Sequence, residues 1–272
     1  MTEIAGKTAL ITGGAMGMGR LLAEMLARDG AQLVLWDRNE EKLKETKADL
    51  EKLGAKVWTY VLDVTDRAKV YETGAQVKKD VGFVHILVNN AGIVRGGHFL
   101  EVSDDDHVKT MEVNIISYFF VTRAFLPDML QRNEGHIINM ASAAGLTGVV
   151  GISSYCASKF AVVGWTEALR MEVKKLGKKG VHFTTVCPSF VATGMFDGVK
   201  APLFTPFLTT EQMTSKIHMA IKTNKNVVMA PLMVSFVPLM RGFNNPAIYD
   251  WFGSLLGMAR AMDTWKGHPH IS

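Results

Sequence analysis

Only two cysteines, Cys156 and Cys187, occur in 272 residues, and neither sits in a metal-ligand spacing. No disulfide framework can be built from them, and the eight histidines include no HExxH or HxxEH run, so no metal site is expected. Long apolar runs are also missing. No window approaches the ~18 unbroken apolar residues of a membrane span. The opening residues, MTEIAGKTALITGG, lead almost at once into a strand-like run without a signal-peptide or anchor pattern, so a cytoplasmic location is expected. No repeat or low-complexity linker breaks the chain. Charge of one sign is scarce as well: 30 Lys and Arg face 26 Asp and Glu, a net charge of +4. In RNEEKLKETKADLEKLG the two signs alternate at helical spacing, which describes a solvated surface rather than a nucleic-acid footprint.

What the chain does have is alternation. Runs rich in Val and Ile, at about 7–13, 32–37, 56–64, 85–92, 136–142, 181–188 and 226–231, are predicted strands. Helical spacing fills about 17–29, 40–53, 66–81, 104–132 and 153–176. Strands separated by helices imply right-handed crossovers and a parallel sheet covered on both faces. The expected architecture is therefore α/β, a single-domain Rossmann-type doubly wound sheet of about seven strands spanning residues 1–272. Ligands of such sheets sit beyond the carboxyl ends of the strands, and every motif below falls at such an end.

TGGAMGMG, residues 12–19, follows the first strand and opens the first helix. Gly13 allows the tight turn, while Gly17 and Gly19 allow backbone and helix to approach a pyrophosphate at a helix N-terminus. A plain βα turn is the bland alternative. Asp37 ends the second strand, where an acid can accept from both ribose hydroxyls and repel a 2′-phosphate, favouring NAD over NADP. Arg38 works the other way, since a guanidinium can reach that phosphate. Asp37 is also a candidate cap for the helix beginning near Glu40.

SSYCASKFAVVGWTEAL, residues 153–169, puts Tyr155 and Lys159 one helical turn apart. They are either a surface pair or a proton-transfer pair. With TGGAMGMG, DV at 63–64, NNAG at 89–92, VN at 113–114, Ser142 and YCASK at 155–159 in this order, the sequence over about 5–195 resembles the short-chain dehydrogenases/reductases. The resemblance implies a catalytic tetrad of Asn114, Ser142, Tyr155 and Lys159. Tyr155 would be the acid/base, Lys159 would favour the phenolate and hold nicotinamide ribose hydroxyls, Ser142 would orient the substrate oxygen, and Asn114 would hold a relay water. A free phenol, with a pKa of ~10, is a poor base at neutral pH, so a nearby cation is chemically apt.

The same resemblance implies that Met16 and Met18 complete the glycine-rich loop, and that Asp63 and Val64 flank the adenine. Asn90, Ala91 and Gly92 would pass beneath the adenosine ribose, and Pro188, Val191 and Thr193 would hold the carboxamide. Ser189 departs from the family's glycine and puts the loop path after Pro188 in question. VLWD, CPSFVATGMF and MDTWKG are similar to the retinol and hydroxysteroid dehydrogenase branch, which implies a lipophilic secondary or allylic alcohol or ketone. Residues 194–215, rich in Met, Phe, Leu and Pro, read as a substrate lid, and 231–272 as a C-terminal extension packing over the pocket or in a subunit interface. Peripheral membrane contact beside Arg241 and Arg260 is the alternative for that extension. The resemblance implies that the long helices 104–132 and 153–176 are dimerisation surfaces, and VNIISYFFVTRAFLPDML is apolar over more than one stripe, so a homodimer or homotetramer is expected. Two other functions compete: an NADP-dependent 3-oxoacyl thioester reductase, and a dinucleotide-sensing protein without catalysis.

Overall fold

The computed structural model describes residues 1–201, 205–241 and 262–265. Its centre is a seven-stranded sheet in the order β3-β2-β1-β4-β5-β6-β7, parallel throughout. The strands are β1 (Thr8–Thr12), β2 (Gln32–Asp37), β3 (Val57–Val61), β4 (Ile86–Asn89), β5 (Gly135–Met140), β6 (Val181–Pro188) and β7 (Val227–Ala230). The predicted α/β sheet is thus present, with β2 and β6 matching their apolar runs and the other strands slightly shorter or shifted.

Alternation along the strands feeds two cores. On one face Ile11, Leu33 and Leu35 pack with α1 (Gly17–Arg28), α2 (Glu40–Lys52) and α7 (Thr210–Thr223). On the other, Leu10, Val34 and Trp36 pack with α3 (Arg67–Asp80), α5 (Ser117–Arg132) and α6 (Ser153–Lys175). Side chains point alternately up and down a strand, so a fully apolar strand needs helices on both faces. The direction of strand order reverses between β1 and β4, and this opens a crevice at their carboxyl ends.

Three boundaries differ from the sequence reading. The helix predicted over 104–132 is divided: α4 covers Asp104–Met111, a π-helical turn covers Glu112–Ile116, and α5 follows. Residues 210–215 of the expected lid instead open α7, capped by Thr209, whose Met213 and Ile217 are buried in the core shared with α1. Asp37 does not cap α2: Asn39 does, its side chain accepting from Lys42 N at 3.0 Å, while Asp37 Oδ1 accepts from Asn39 N at 3.0 Å. Most of the C-terminal extension, 242–261 and 266–272, lies outside the described residues, as does Arg260.

Candidate active site

The crevice is a cleft of about 450 Å³. Gly13, Met16, Gly17 and Met18 line it from the first turn, Asp37 and Arg38 from the end of β2, and Asp63 and Val64 from beyond β3. Asn90, Ala91 and Gly92 line it after β4, and Thr193 closes one side. Gly19, Pro188, Val191, Ser142, Asn114, Tyr155 and Lys159 are not on this wall.

Gly19 acts from behind. A Cβ there would stand 2.2 Å from Gly13 O and 2.7 Å from Asn90 Nδ2, so only glycine lets α1 meet the turn after β1. Gly13 and Gly17 hold φ of 64° and 55°, the left-handed region that glycine enters without strain. A Cβ on Gly17 would meet no atom within 4 Å, because that face is open to the cleft. The N-terminus of α1 has neither a side-chain cap nor an acid in its first turn. Free N–H groups, positive dipole and open space together fit a pyrophosphate.

Thr12, which opens the glycine-rich run, has a role that the spacing does not show. Its Oγ1 accepts from Asn90 N at 3.0 Å and Ala91 N at 3.1 Å, while Asn90 Nδ2 donates to Thr12 O and Gly13 O. These bonds lock the turns after β1 and β4 together. Asp37 Oδ2 accepts from Ala15 N at 3.0 Å, so its carboxylate is fixed at the rim from both sides. Burial pushes the Asp63 carboxyl up, but bonds from Thr65 and the Lys109 ammonium outweigh it and leave it below the usual range. Lys109, with Nζ 3.5 Å from Asp63 Oδ2, and Arg95 also line the cleft and were not expected there.

The tetrad converges at the far side of Gly92. A Cβ on Gly92 would stand 3.3 Å from Asn114 Oδ1 and 3.7 Å from Lys159 Nζ, so this glycine joins the cleft to the tetrad. Lys159 Nζ lies 5.6 Å from the centre of the Tyr155 ring and donates to Met140 O at 2.7 Å. Ser142 Oγ donates to Pro188 O at 3.4 Å and accepts from Ala144 N. All four side chains are buried, Asn114 completely.

Burial pushes the Tyr155 phenol up to about 12 against the pull of Ser142, and burial pushes Lys159 down to about 7. Desolvation therefore outweighs the expected help of the lysine within the protein alone. Asn114 sits in the π-helical turn, where Oδ1 accepts from Ile93 N (2.8 Å) and Nδ2 donates to Ile93 O and Ser158 Oγ (3.0 Å each). Its amide protons are therefore spent on the Ile93 carbonyl and the Ser158 hydroxyl, which leaves any relay water to a lone pair of Oδ1 or to its main-chain carbonyl.

Ser189 does not divert the loop. It is absent from the positive-φ residues, so the position makes no demand for glycine, and its N–H donates to Ala230 O at 2.7 Å. Val191 then bridges Leu208, with Ala192 N and Leu208 N bonded across, so the segment between leaves and returns at one point. An apolar cluster covers Tyr155. Phe196 meets its ring edge-on at 6.1 Å, Phe190 meets Phe196 at 5.2 Å, and Val94, Ile152 and Met262 complete the packing.

Sheet order, glycine-rich turn and crevice define a protein of the dinucleotide-binding Rossmann type. A family model described as short chain dehydrogenase matches residues 7–203, and the chain belongs to that oxidoreductase family, whose members bind a nicotinamide dinucleotide. It is 45% identical over 232 residues to short-chain dehydrogenase/reductase family 16C member 6 of Bos taurus, covering 84% of this chain and 73% of that protein. Epidermal retinol dehydrogenase 2 of Mus musculus is 43% identical over 88% of this chain and 78% of its own length. For 17-beta-hydroxysteroid dehydrogenase 13 of Rattus norvegicus the identity is 40%, over 89% and 80%. A solved short-chain dehydrogenase/reductase from Burkholderia phymatum, in complex with NAD, superposes with a TM-score of 0.82 at 32% identity, covering 89% of this chain and 95% of that one. These relatives are the retinol and hydroxysteroid dehydrogenase branch that the motifs resembled.

Proposed function

We propose that the chain is an NAD-dependent alcohol dehydrogenase/carbonyl reductase acting on a lipophilic secondary or allylic alcohol or ketone. The observation that carries this reading is the burial of Tyr155, Lys159 and Ser142 together beneath an apolar, aromatic cluster. NAD would be held by the first turn and α1 N-terminus, by Asp37 at the adenosine ribose, by Asn90–Gly92, and by Val191 and Thr193. When bound, it supplies the hydride acceptor or donor and, when oxidised, a positive charge.

Ser142 would hold the substrate oxygen against the Tyr155 hydroxyl. In oxidation the phenolate takes the alcohol's proton, and in reduction the phenol returns it. Lys159 stabilises the phenolate by its charge, and Asn114 keeps Ile93 and Ser158 fixed on either side of it. Phe190, Phe196 and Val94 exclude water and accept the apolar remainder of the substrate. The segment between Val191 and Leu208 is the proposed lid. Association into a homodimer or homotetramer through α5 and α6 accompanies this reading, since Phe119 and Met171 stand 37% and 58% exposed on them.

The fixed carboxylate of Asp37 favours NAD. The exposed Arg38 keeps the NADP-dependent 3-oxoacyl thioester reductase as the second reading. The test is Tyr155→Phe assayed on retinoids, steroids and simple alcohols with both cofactors. Turnover should fall by at least about a thousandfold, in the range of a lost acid/base group, with NADH binding retained. Retained turnover refutes the acid/base assignment. Activity confined to acetoacetyl thioesters with NADPH selects the second reading, and tight NADH binding by wild type without turnover on any alcohol selects the sensing protein.

A further inference from the structure

We propose that Tyr118 is a positioning residue for the proton-transfer pair, its ring face solvating the Lys159 ammonium where no carboxylate does. The inference rests on the reading of Tyr155 as acid/base and adds a member to the site that the motifs do not contain.

Tyr118 lies in the first turn of α5, immediately after the π-helical turn, and is 1% exposed. Its hydroxyl donates to Ala91 O at 3.1 Å and Met140 O at 3.4 Å. Met140 O also accepts from Lys159 Nζ, so one carbonyl ties both side chains. Nζ then stands 5.7 Å over the Tyr118 ring and 5.6 Å over the Tyr155 ring, between two π faces. Among the described residues no carboxylate pairs with it. The titratable groups facing it are the Tyr155 phenol on α6, the Tyr118 phenol on α5 and the Cys187 thiol on β6. Burial pushes the thiol up to about 12, so it is neutral, and burial pushes the Tyr118 phenol up as well.

A buried ammonium with a single carbonyl partner is costly unless something else replaces its water. Ring quadrupoles do so without supplying a negative charge that would cancel its effect on Tyr155. Loss of the Tyr118 ring should make the Lys159 ammonium still harder to keep, so that less of it remains to support the phenolate. The limb of kcat/KM that rises with pH in alcohol oxidation reports the pair's joint titration. It should move to higher pH, with a lower plateau.

The experiment compares that limb in wild type, Tyr118→Phe, Tyr118→Leu and Tyr118→Met, each checked for NADH binding. Tyr118→Leu should move it up by about 0.4 to 1.5 pH units, the span of cation–π contacts from exposed to desolvated. Tyr118→Phe, which keeps the ring, should leave it in place. If Tyr118→Leu fails to fold, the more adaptable Tyr118→Met carries the same expectation. A ringless variant that binds NADH with the wild-type limb overturns the inference, and so does a Phe variant displaced as far as the ringless ones. Tyr155→Phe run beside them separates the two claims. If it retains turnover, the underlying reading fails. If it is inactive while the limb stays unmoved, Tyr118 alone is wrong.

Discussion

A methyl group added at Gly19 would press on Gly13 O and on Asn90 Nδ2, the two atoms that join the turns after β1 and β4. Gly19→Ala should therefore push α1 away from the cleft and weaken NADH binding at least about tenfold in a fluorescence titration, equivalent to ~1.4 kcal/mol. An unchanged affinity would show that the first turn is not where the pyrophosphate binds. Asp37 invites the opposite design. Its carboxylate meets the cleft and accepts from Ala15 N and Asn39 N, so Asp37→Ser removes charge while leaving a short acceptor. The preference for NAD over NADP, measured as a ratio of kcat/KM, should fall by about tenfold or more as Arg38 is left unopposed. A ratio that does not move would take Asp37 out of cofactor selection. The glycine-rich turn was legible in the sequence because its spacing is local, and Asp37 because it ends the very next strand, about 20 residues on. Thr12 and Lys109 were not, because what matters about them is a partner far along the chain. Lys109 meets Asp63 only because α4 packs beside the end of β3.

Among the elements, the strands were easiest to read, since runs such as ALIT and LVLW are apolar on both faces and suit only a covered parallel sheet. The interruption at Glu112–Ile116 was not readable. VNIISYFF carries no proline or glycine, and the wider turn is maintained by Asn114 bonding Ile93, a contact between remote segments. The segment expected to be a lid, 194–215, runs into α7 for a similar reason: the Met- and Phe-rich composition continues through Met213, but the bridge of Val191 to Leu208 ends the loop before α7. A second restraint comes from the far end of the chain. Trp265 Nε1 donates to Met195 O at 3.2 Å, and its ring fills the space at Gly96, where a Cβ would lie 2.5 Å from the indole. Gly96→Ala and Trp265→Leu thus attack one contact from its two sides. Each should raise KM for a bulky apolar alcohol severalfold and weaken NADH binding less, because Trp265 reaches the cleft lining only through Met195. Should KM stay put in both variants, residues 195–199 need no support from the C-terminal segment.

For the molecule as a whole, the end of the sheet opposite the cleft sets the response to acid. His136 in β5 is completely buried beside His182 of β6, the rings 5.8 Å apart. Thr184 Oγ1 donates to Lys225 O at 2.7 Å, so it must accept from His136 Nε2 at 2.8 Å, which places a proton on Nε2. Burial pushes His136 from 6.5 down to about 3, the neighbouring His182 adds to the shift, and burial also lowers His182 and His85. The sign follows from proton counting. Between the unfolded and folded values the unfolded chain binds the extra proton, so stability is complete above about pH 6.5 and declines as pH falls toward 3. For His136 alone, two units below its ordinary value remove about 2.7 kcal/mol. Urea unfolding should therefore give a free energy that falls steadily from pH 7 to pH 5, with catalysis and cofactor binding playing no part in the slope. His136→Gln has no such proton to take up, and although it will lower stability at pH 7, its free energy should fall less steeply over the same interval. Equal slopes in the two proteins would mean that the acid response arises elsewhere, and that burying an imidazole between β5 and β6 costs the fold nothing at low pH.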